Sequence, residues 1–316
     1  MRAAVYKKYG PPDVVSIAEV PRPVPGKHDL LVKSAASSVT SGDARMRAFD
    51  MPKPFAIPGR LMLGIFGPRK QVLGVEFAGT VEAVGPAVTR FKVGDRVFGI
   101  DVFGCHAEYK LVREDECVAL MPESLSFEDA AGIPFGGVTA LDFFNRGKIR
   151  SGQKVLINGA SGCVGAYAVQ LAKYFGAEVT GVCSAGNAEL VRSLGADRVI
   201  DYATTDFAGE SKVYDVIMDT VGTASFARCE PVLAPTGALL TVLVVPEDIF
   251  RRPKGGRRIV GGTSSERPED LRLLADLLAA GTIRPVIDRV YPLEDIRDAY
   301  TYVDSGRKRG AVVLAI

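Results

Sequence analysis

The stretch KVLINGASGCVGAYAVQLAKYFG, residues 154–176, decides the fold. Val155, Leu156 and Ile157 form a continuous apolar run, which is typical of a strand buried on both faces. A glycine-rich turn follows, and the apolar residues after it recur at helical spacing until Gly176 supplies a stop. A strand, a tight turn and a helix in this order predict a βα unit of a parallel sheet.

The turn carries three glycines and leads straight into the predicted helix. Backbone N–H groups and the positive end of the helix dipole converge there, which suits the pyrophosphate of a dinucleotide. Because Ala160 stands where a strict GxGxxG motif has its first glycine, a tight βα connection without a ligand is the alternative. A second strand at the spacing of a dinucleotide fold favours binding. The residues expected to form the cradle are Gly159, Ala160, Ser161, Gly162, Val164 and Gly165.

The end of the second predicted strand indicates which dinucleotide binds. An NAD site places Asp or Glu there to hold the ribose hydroxyls, whereas this sequence has VCSA at residues 182–185. A carboxylate about 4 Å from a 2′-phosphate would cost roughly 1 kcal/mol in water and about 4 kcal/mol at an effective dielectric near 20. Its absence favours NADP(H), with Ser184 and Tyr202 as candidate phosphate donors. Asn187 stands where a cation would serve best, and ordinary packing roles for Cys183 and Tyr202 are the alternative.

The chain changes character near Pro122. Before it, short β-rich runs alternate with Gly and Pro, as in a small barrel or sandwich. From Ser151 onward, strand-like and helical runs alternate, which predicts an α/β doubly wound sheet. The apolar run 311–316 predicts a strand that returns to the first domain, and residues 268–281 predict a helix. The expected domains are 1–122 with 283–316, and 123–282.

Residues 50–73 form a long stretch rich in Pro, Gly, Arg and large apolar residues, which we predict to be irregular. Loops of this length are usually functional or disordered, and the apolar content disfavours disorder. Two roles stay open: a roof over the pocket for a bulky apolar acceptor, or a dimer contact or satellite core.

Composition narrows the function. The 316 residues include 39 Lys and Arg against 37 Asp and Glu, a net charge of +2, which argues against an electrostatic nucleic-acid binder. The basic runs 251–258 and 307–309 are interpreted as solvated surface. The longest apolar stretch, 237–245, is about half of the ~20 residues that span a bilayer, and the N-terminus does not resemble a signal peptide. Five widely spaced Cys suit free thiols. We therefore expect a cytoplasmic protein without nucleic-acid or membrane partners.

Several long motifs occur in an order that is typical of one family. The chain resembles the zinc-independent quinone oxidoreductase, or zeta-crystallin-like, branch of the medium-chain dehydrogenase/reductase superfamily over nearly its whole length. The resemblance implies a GroES-like β-rich catalytic domain and a Rossmann domain, with the nicotinamide in the cleft between them near Thr139. It also implies a homodimer formed through the edge of the Rossmann sheet, where we expect the strand ALLTVL, residues 238–243. The motifs include VLGVEFAGTVEAVG (72–85), FKVGDRVFG (91–99), PFGGVTALDFF (134–144) and PVIDRVYPLEDIRDAY (285–300).

Zinc alcohol dehydrogenases of this superfamily hold a catalytic metal through a Cys, a His and a second Cys. The matching positions here are Thr40, Val75 and Phe135, none of which ligates zinc as a thiolate or an imidazole does. We therefore expect no metal, and we interpret His106 as a packing or rim residue. Hydride delivery to a quinone or an activated alkene is then favoured over alcohol oxidation, because hydrogen bonds stabilise the oxyanion that forms.

Thr40 and Asp43 are the polar candidates for contact with the substrate. Related enoyl reductases use a Tyr as proton donor, but the matching stretch 46–59 offers only Phe49 and Phe55. A turn cap is the alternative role of Asp43. The predicted function is NADPH-dependent, zinc-free reduction of a small apolar quinone or α,β-unsaturated carbonyl. An NADP-dependent alcohol or carbonyl dehydrogenase and a non-catalytic NADPH-binding sensor stay open as alternatives.

Overall fold

A computed structural model of the chain describes residues 1–51 and 53–316. The chain folds into two compact units. The first unit contains Met1–Phe135 and Glu266–Ile316, and the second contains Gly136–Ser265. Residue 52, within the stretch 50–73 predicted to be irregular, lies outside the described residues.

The first unit is rich in short strands up to residue 135, as the alternation with Gly and Pro predicts. Three helices interrupt the strands, and α1 and α2 both follow β3. In chain order the elements are β1 (Arg2–Tyr6), β2 (Val15–Glu19), β3 (Asp29–Ser38), α1 (Ser41–Ala48), α2 (Lys53–Leu63), β4 (Glu76–Val84), β5 (Arg96–Ile100), β6 (Tyr109–Arg113), β7 (Val118–Leu120) and α3 (Phe127–Ala131).

The second unit contains the βα units predicted from its sequence, with all six strands parallel. Its elements are α4 (Pro134–Gly147), β8 (Lys154–Asn158), α5 (Cys163–Tyr174), β9 (Glu178–Cys183), α6 (Ala188–Ser193), β10 (Arg198–Asp201), β11 (Tyr214–Asp219), α7 (Phe226–Cys229), β12 (Leu233–Thr241) and β13 (Arg258–Gly261). The strand order β10-β9-β8-β11-β12-β13 is that of a Rossmann sheet, which confirms the predicted fold class.

The last part of the chain returns to the first unit as α8 (Pro268–Ala279), β14 (Ile287–Pro292), α9 (Ile296–Asp304) and β15 (Ala311–Ala315). β15 pairs with β14 on one side and antiparallel to β3 on the other. The seven-stranded sheet therefore runs β14-β15-β3-β4-β5-β7, with β6 also paired to β3. The predicted returning strand is confirmed. It lies inside this sheet because β14, from the C-terminal part of the chain, and β3, from the N-terminal part, are its two neighbours.

The units divide at different residues from the predicted domains. Residues 123–135 group with the first unit because α3 packs on β3 and β4. Residues 266–282 group with it because α8 packs against β7, and the thiol of Cys117 lies 3.6 Å from the carbonyl oxygen of Arg267. The sequence pattern places α8 correctly along the chain, but it carries no information about which sheet the apolar face of this helix covers.

Two local predictions are wrong. The stretch 50–73 contains α2 instead of being irregular throughout, and α2 continues through Pro58 despite the hydrogen bond that proline removes. The strand ALLTVL is not a sheet edge, because β12 is hydrogen-bonded to β11 on one side and to β13 on the other. The edge of the sheet beyond β12 is β13, whose four residues are too short a signal to assign an edge from sequence.

Backbone packing at the first βα turn requires glycine. Gly159 has φ +84°, in the left-handed region that side chains disfavour. A Cβ at Gly165, in the first turn of α5, would overlap the carbonyl oxygen of Gly159. The helix can therefore approach the end of β8 only without a side chain at residue 165.

We predict that Gly165→Ala lowers the free energy of unfolding by about 1–3 kcal/mol, since the new methyl group meets backbone that cannot rotate away. Gly186→Ala is the matched control, because a Cβ there meets nothing within 4 Å. Urea unfolding of both variants checks the prediction. Equal stability of the two variants would contradict the close approach.

Candidate functional site

The glycine-rich turn of the second unit is fastened to the neighbouring strand. The backbone N–H groups of Gly159 and Ala160 both donate to the carbonyl of Val182 in β9, at 3.1 and 3.0 Å. α5 then begins at Cys163, and Gly162 before it provides no side-chain cap. The positive end of the helix dipole therefore faces outward from a rigid backbone turn with no side chain competing for it, which is the geometry that binds a pyrophosphate.

The predicted phosphate donors lie at adjacent strand ends. Ser184 directly follows β9 and Tyr202 directly follows β10, and the N–H of Tyr202 donates to Cys183 at 3.2 Å. Cys183 is buried, whereas the side chain of Tyr202 is exposed. Asn187, treated in the sequence as the place of a missing cation, instead donates through Nδ2 to the hydroxyl of Ser161 at 3.0 Å. This contact connects the glycine-rich turn to the segment that follows β9.

Sequence reasoning missed a buried carboxylate at the same edge of the sheet. Asp219 ends β11 and accepts hydrogen bonds from Nδ2 of Asn158 and from the backbone N–H groups of Val221, Gly222 and Ala224, at 3.0–3.2 Å. These bonds shape the loop after β11 beside the glycine-rich turn. The signal was present in the sequence, since a polar residue ends each of two apolar strands, β8 and β11, at the carboxyl edge where such folds bind ligands.

Thr139 lies on α4 and is nearly fully buried. Its hydroxyl is 3.5 Å from that of Ser264, near the end of the second unit. The structure thus places Thr139 in the unit that carries the glycine-rich turn. Its predicted proximity to the nicotinamide stays a prediction.

In the first unit, Thr40 and Asp43 form a capping box at the start of α1. The Thr40 hydroxyl accepts from the Asp43 N–H at 3.0 Å, while Oδ2 of Asp43 lies 2.8 Å from the Thr40 N–H and 2.7 Å from the Thr40 hydroxyl. The cap proposed as an alternative role for Asp43 is therefore present. A helix cap is normally exposed, however, and both of these side chains are buried.

Burial changes the chemistry of Asp43. Loss of solvation raises the pKa of its carboxyl, which favours the protonated acid, although the neighbouring His106 and the bonds to Thr40 oppose the shift. Its second oxygen, Oδ1, has no hydrogen-bond partner among the described residues. Asp43 therefore differs from an ordinary capping carboxylate, because it is fully buried.

His106 lies beside this acid and is fully buried, which confirms the packing interpretation. Its Nε2 donates to the carbonyl of Ser38 at 2.9 Å, and burial lowers its pKa so that the neutral ring is favoured. The ring packs edge-on against Tyr300 with 6.0 Å between the centroids. Nδ1 of His106 and the Tyr300 hydroxyl are, like Oδ1 of Asp43, buried without a hydrogen-bond partner in the described part of the chain.

A second buried carboxyl, Glu76, escaped the sequence analysis. Its Oε1 accepts from the backbone N–H of Phe135 at 2.6 Å and its Oε2 accepts from the Ser38 hydroxyl. Burial raises its pKa to about 8, a shift that the nearby Asp43 reinforces and Lys308 opposes. The motif VLGVEFAG contains Glu76 at the start of a strand. A charged residue at such a position is ordinarily predicted to be exposed.

The three positions that match zinc ligands in the resemblance come together in the first unit. A Cβ at Gly42 would lie 3.3 Å from the Thr40 hydroxyl and 3.5 Å from the Phe135 ring. Val75 directly precedes Glu76, which binds the Phe135 N–H. Within residues 1–51 and 53–316, no group of three or more His, Cys, Asp or Glu side chains is arranged to hold a metal ion.

Two family models match the chain in the order that the fold requires. The alcohol dehydrogenase GroES-like domain matches residues 26–123, and the zinc-binding dehydrogenase model matches residues 194–314. The chain is 33% identical to 2-methylene-furan-3-one reductase of Solanum lycopersicum, over 99% of this chain and 79% of the relative. It belongs to the quinone oxidoreductase branch of the medium-chain dehydrogenase/reductase superfamily.

Two further comparisons support this family membership. It is 30% identical to the chloroplastic NADPH-dependent alkenal/one oxidoreductase of Arabidopsis thaliana, over 99% of the chain and 79% of the relative. It superposes on the quinone oxidoreductase of Coxiella burnetii with a TM-score of 0.89 and 30% identity, covering 100% of this chain and 99% of the other. The chain is thus an oxidoreductase with a GroES-like and a Rossmann unit, as the resemblance implied.

Glu76 makes the stability of this reductase depend on pH. Its pKa is about 8 in the folded chain and about 4.3 in an unfolded one, so the folded state retains a proton that the unfolded state releases between these values. The free energy of unfolding therefore falls as pH rises through this window, by at most about 1.4 kcal/mol per pH unit. We predict that Glu76→Gln removes this contribution.

Urea unfolding from pH 5 to pH 9 measures the contribution of Glu76 as the difference in the free energy of unfolding between wild type and variant. Glu123→Gln, a change at an exposed position of the same unit, is the control and should leave the profile unaltered. A Glu76→Gln profile parallel to that of the wild type would show that Glu76 is ionised in the folded chain.

Proposed function

We propose that the protein uses NADPH to reduce a quinone or an α,β-unsaturated carbonyl compound without zinc. The observation that carries the cofactor assignment is the strand end after β9, where Ser184 follows the buried Cys183 and no carboxylate stands. The relatives named as quinone, alkenal and furanone reductases support the acceptor class.

The residues of the second unit fit a dinucleotide. Gly165 leaves room for the backbone turn, and the uncapped start of α5 at Gly162 offers N–H groups to a pyrophosphate. With Ala160, Ser161 and Val164, these residues would hold the pyrophosphate, while Ser184 and Tyr202 would meet the 2′-phosphate. Bound NADPH supplies the hydride that the acceptor receives.

The zinc-free assignment rests on the first unit. Thr40, Val75 and Phe135 occupy the positions of the metal ligands, and none of them offers a thiolate or an imidazole. The developing negative charge on the acceptor oxygen must then be stabilised by hydrogen bonds or removed by a proton. The Thr40 hydroxyl, at 2.7 Å from the Asp43 carboxyl, is the group of this chain that we assign to that task.

Thr40 and Asp43 together can deliver one proton. After hydride reaches the β-carbon of an enone, the resulting enolate takes the proton of the Thr40 hydroxyl. Thr40 regains a proton from the Asp43 carboxyl, whose pKa is raised by burial, and Asp43 is finally reprotonated from solvent. The balance is one hydride and one proton added to the carbon–carbon double bond. A hydroquinone can instead take its protons from water.

Homodimer formation and a cytoplasmic location stay predictions of the sequence. Within the described residues, no helix is both long and apolar enough to cross a bilayer. Static light scattering of the purified chain measures the oligomeric state.

A charge at the end of β9 tests the cofactor assignment. We predict that Ser184→Asp weakens NADPH binding by roughly 5-fold to 1,000-fold, because a carboxylate near the 2′-phosphate costs about 1–4 kcal/mol, and that it leaves NADH binding nearly unchanged. Ser211→Asp is the control, since it adds the same charge before β11, at the opposite edge of the parallel sheet. Fluorescence titrations measure both affinities. Tighter binding of NADH than of NADPH to the wild type would refute the assignment.

The proton path separates the two acceptor classes. We predict that Asp43→Asn lowers kcat for a small enone by about 10²-fold and changes kcat for a water-soluble quinone little, because only the enolate needs an enzyme proton. Thr40→Val should act likewise, whereas Thr40→Ser keeps both the hydroxyl and the cap. Equal losses with both acceptors would assign Thr40 and Asp43 a purely structural role. An inactive wild type with tight NADPH binding would favour the sensor instead.

A further inference from the structure

The segment 55–70 leaves an unusual amount of apolar side chain in water. Ile57, Met62 and Phe66 are 77%, 69% and fully exposed, although a folded monomer rarely presents large apolar groups so close together. They lie on α2 and in the turn that follows it. The complete set of exposed large apolar residues in this segment, named here the apolar patch, is Phe55, Ile57, Leu61, Met62, Ile65 and Phe66.

The apolar patch is held in place from its other side. The guanidinium of Arg60 stacks on the rings of Tyr9 and Phe49, at 4.4 and 4.1 Å from their centroids. The Tyr9 hydroxyl donates to the carbonyl of Gly64 at 3.2 Å. These interactions fix α2 and its following turn to the first unit, so the apolar side chains point away from their anchor.

Positive charges border the apolar patch. Arg69 and Lys70 follow it directly and are exposed, and exposed Lys7 and Lys8 are brought close because a Cβ at Gly67 would lie 2.8 Å from the Lys7 carbonyl oxygen. Within the described residues, none of these four cations lies within 4.0 Å of a carboxylate oxygen. Asp50 is the single acidic residue of the stretch 50–70. The border is therefore strongly cationic, although the whole chain is nearly neutral.

We propose that the apolar patch and its cationic border dock this protein on an anionic membrane surface. Apolar side chains flanked by Lys and Arg bind the headgroup region of a bilayer through buried apolar area together with attraction to anionic lipids. α2 has 11 residues and is about 16 Å long, so it lies on the surface and cannot span the bilayer. The proposal extends beyond the reductase activity and does not depend on it.

A second copy of the chain fits the apolar patch less well. A two-fold interface formed by the apolar patch would bring the unpaired cations of both borders into one contact region. Like charges brought together in this way oppose association, whereas an anionic lipid surface is complementary to them. The expectation of no membrane partner, based on the lack of a spanning segment, does not address attachment to the surface.

Vesicle sedimentation tests the proposal. The full chain is mixed with vesicles of phosphatidylcholine alone, or of phosphatidylcholine and phosphatidylglycerol at a ratio of about two to one, in low and in high salt. We expect binding to the anionic vesicles at low salt and at least roughly tenfold weaker binding to the neutral ones. Ile65→Ser with Phe66→Ser, and separately Arg69→Gln with Lys70→Gln, should each reduce binding by about tenfold.

Lys92→Gln with Val93→Ser is the matched control, because it removes one exposed cation and one exposed apolar residue elsewhere in the first unit. It should bind as the wild type does, and circular dichroism checks that every variant is folded. Absence of wild-type binding, equal binding by the Ile65 and Phe66 variant, or salt-independent binding to both vesicle types would each overturn the proposal. A further kind of result would also overturn it: the protein forms a dimer in solution, the Ile65 and Phe66 variant dissociates that dimer, and no vesicle binding is seen.

Discussion

The close approach of the first turn of α5 to the carbonyl of Gly159 is the constraint on which the dinucleotide unit depends. It lets the helix begin shortly after β8, so its uncapped N-terminus presents backbone N–H groups at the carboxyl edge of the sheet. Val182 fixes the turn from β9, and Asp219 shapes the neighbouring loop from β11. Three adjacent strands thus fix the backbone around the start of α5, and no charged side chain is required for this arrangement.

The first unit buries two carboxyls, Asp43 and Glu76. Among the described residues, neither of them forms an ion pair. Burial of a carboxylate is costly unless it is paired, and both groups respond by a raised pKa that favours the neutral acid. In zinc enzymes of the superfamily a metal occupies this region, whereas this chain has Thr40, Val75 and Phe135 at the positions that the resemblance matches to the ligands.

The stretch 50–73 shows how composition can mislead about local structure. Its prolines predicted an irregular segment, yet α2 forms there, and its Arg60 stacks on two aromatic rings outside this stretch. The functional role expected from its abundant apolar residues stays a prediction. Only the folded structure shows that these apolar side chains are exposed. It also shows that Lys7 and Lys8 lie next to the segment.

Much of this protein was determined by sequence alone. The Rossmann unit, its glycine-rich turn and the returning strand β15 follow from local periodicity and from glycines whose backbone conformation no other residue adopts easily. The absence of a carboxylate after β9 could also be read directly. Other features depend on residues distant in the chain: β13 covers β12, α8 packs on β7, and His106 and Glu76 are buried around Thr40 and Asp43. Only the tertiary structure decided these, because burial, pKa and sheet edges are set by neighbours that sequence periodicity does not identify.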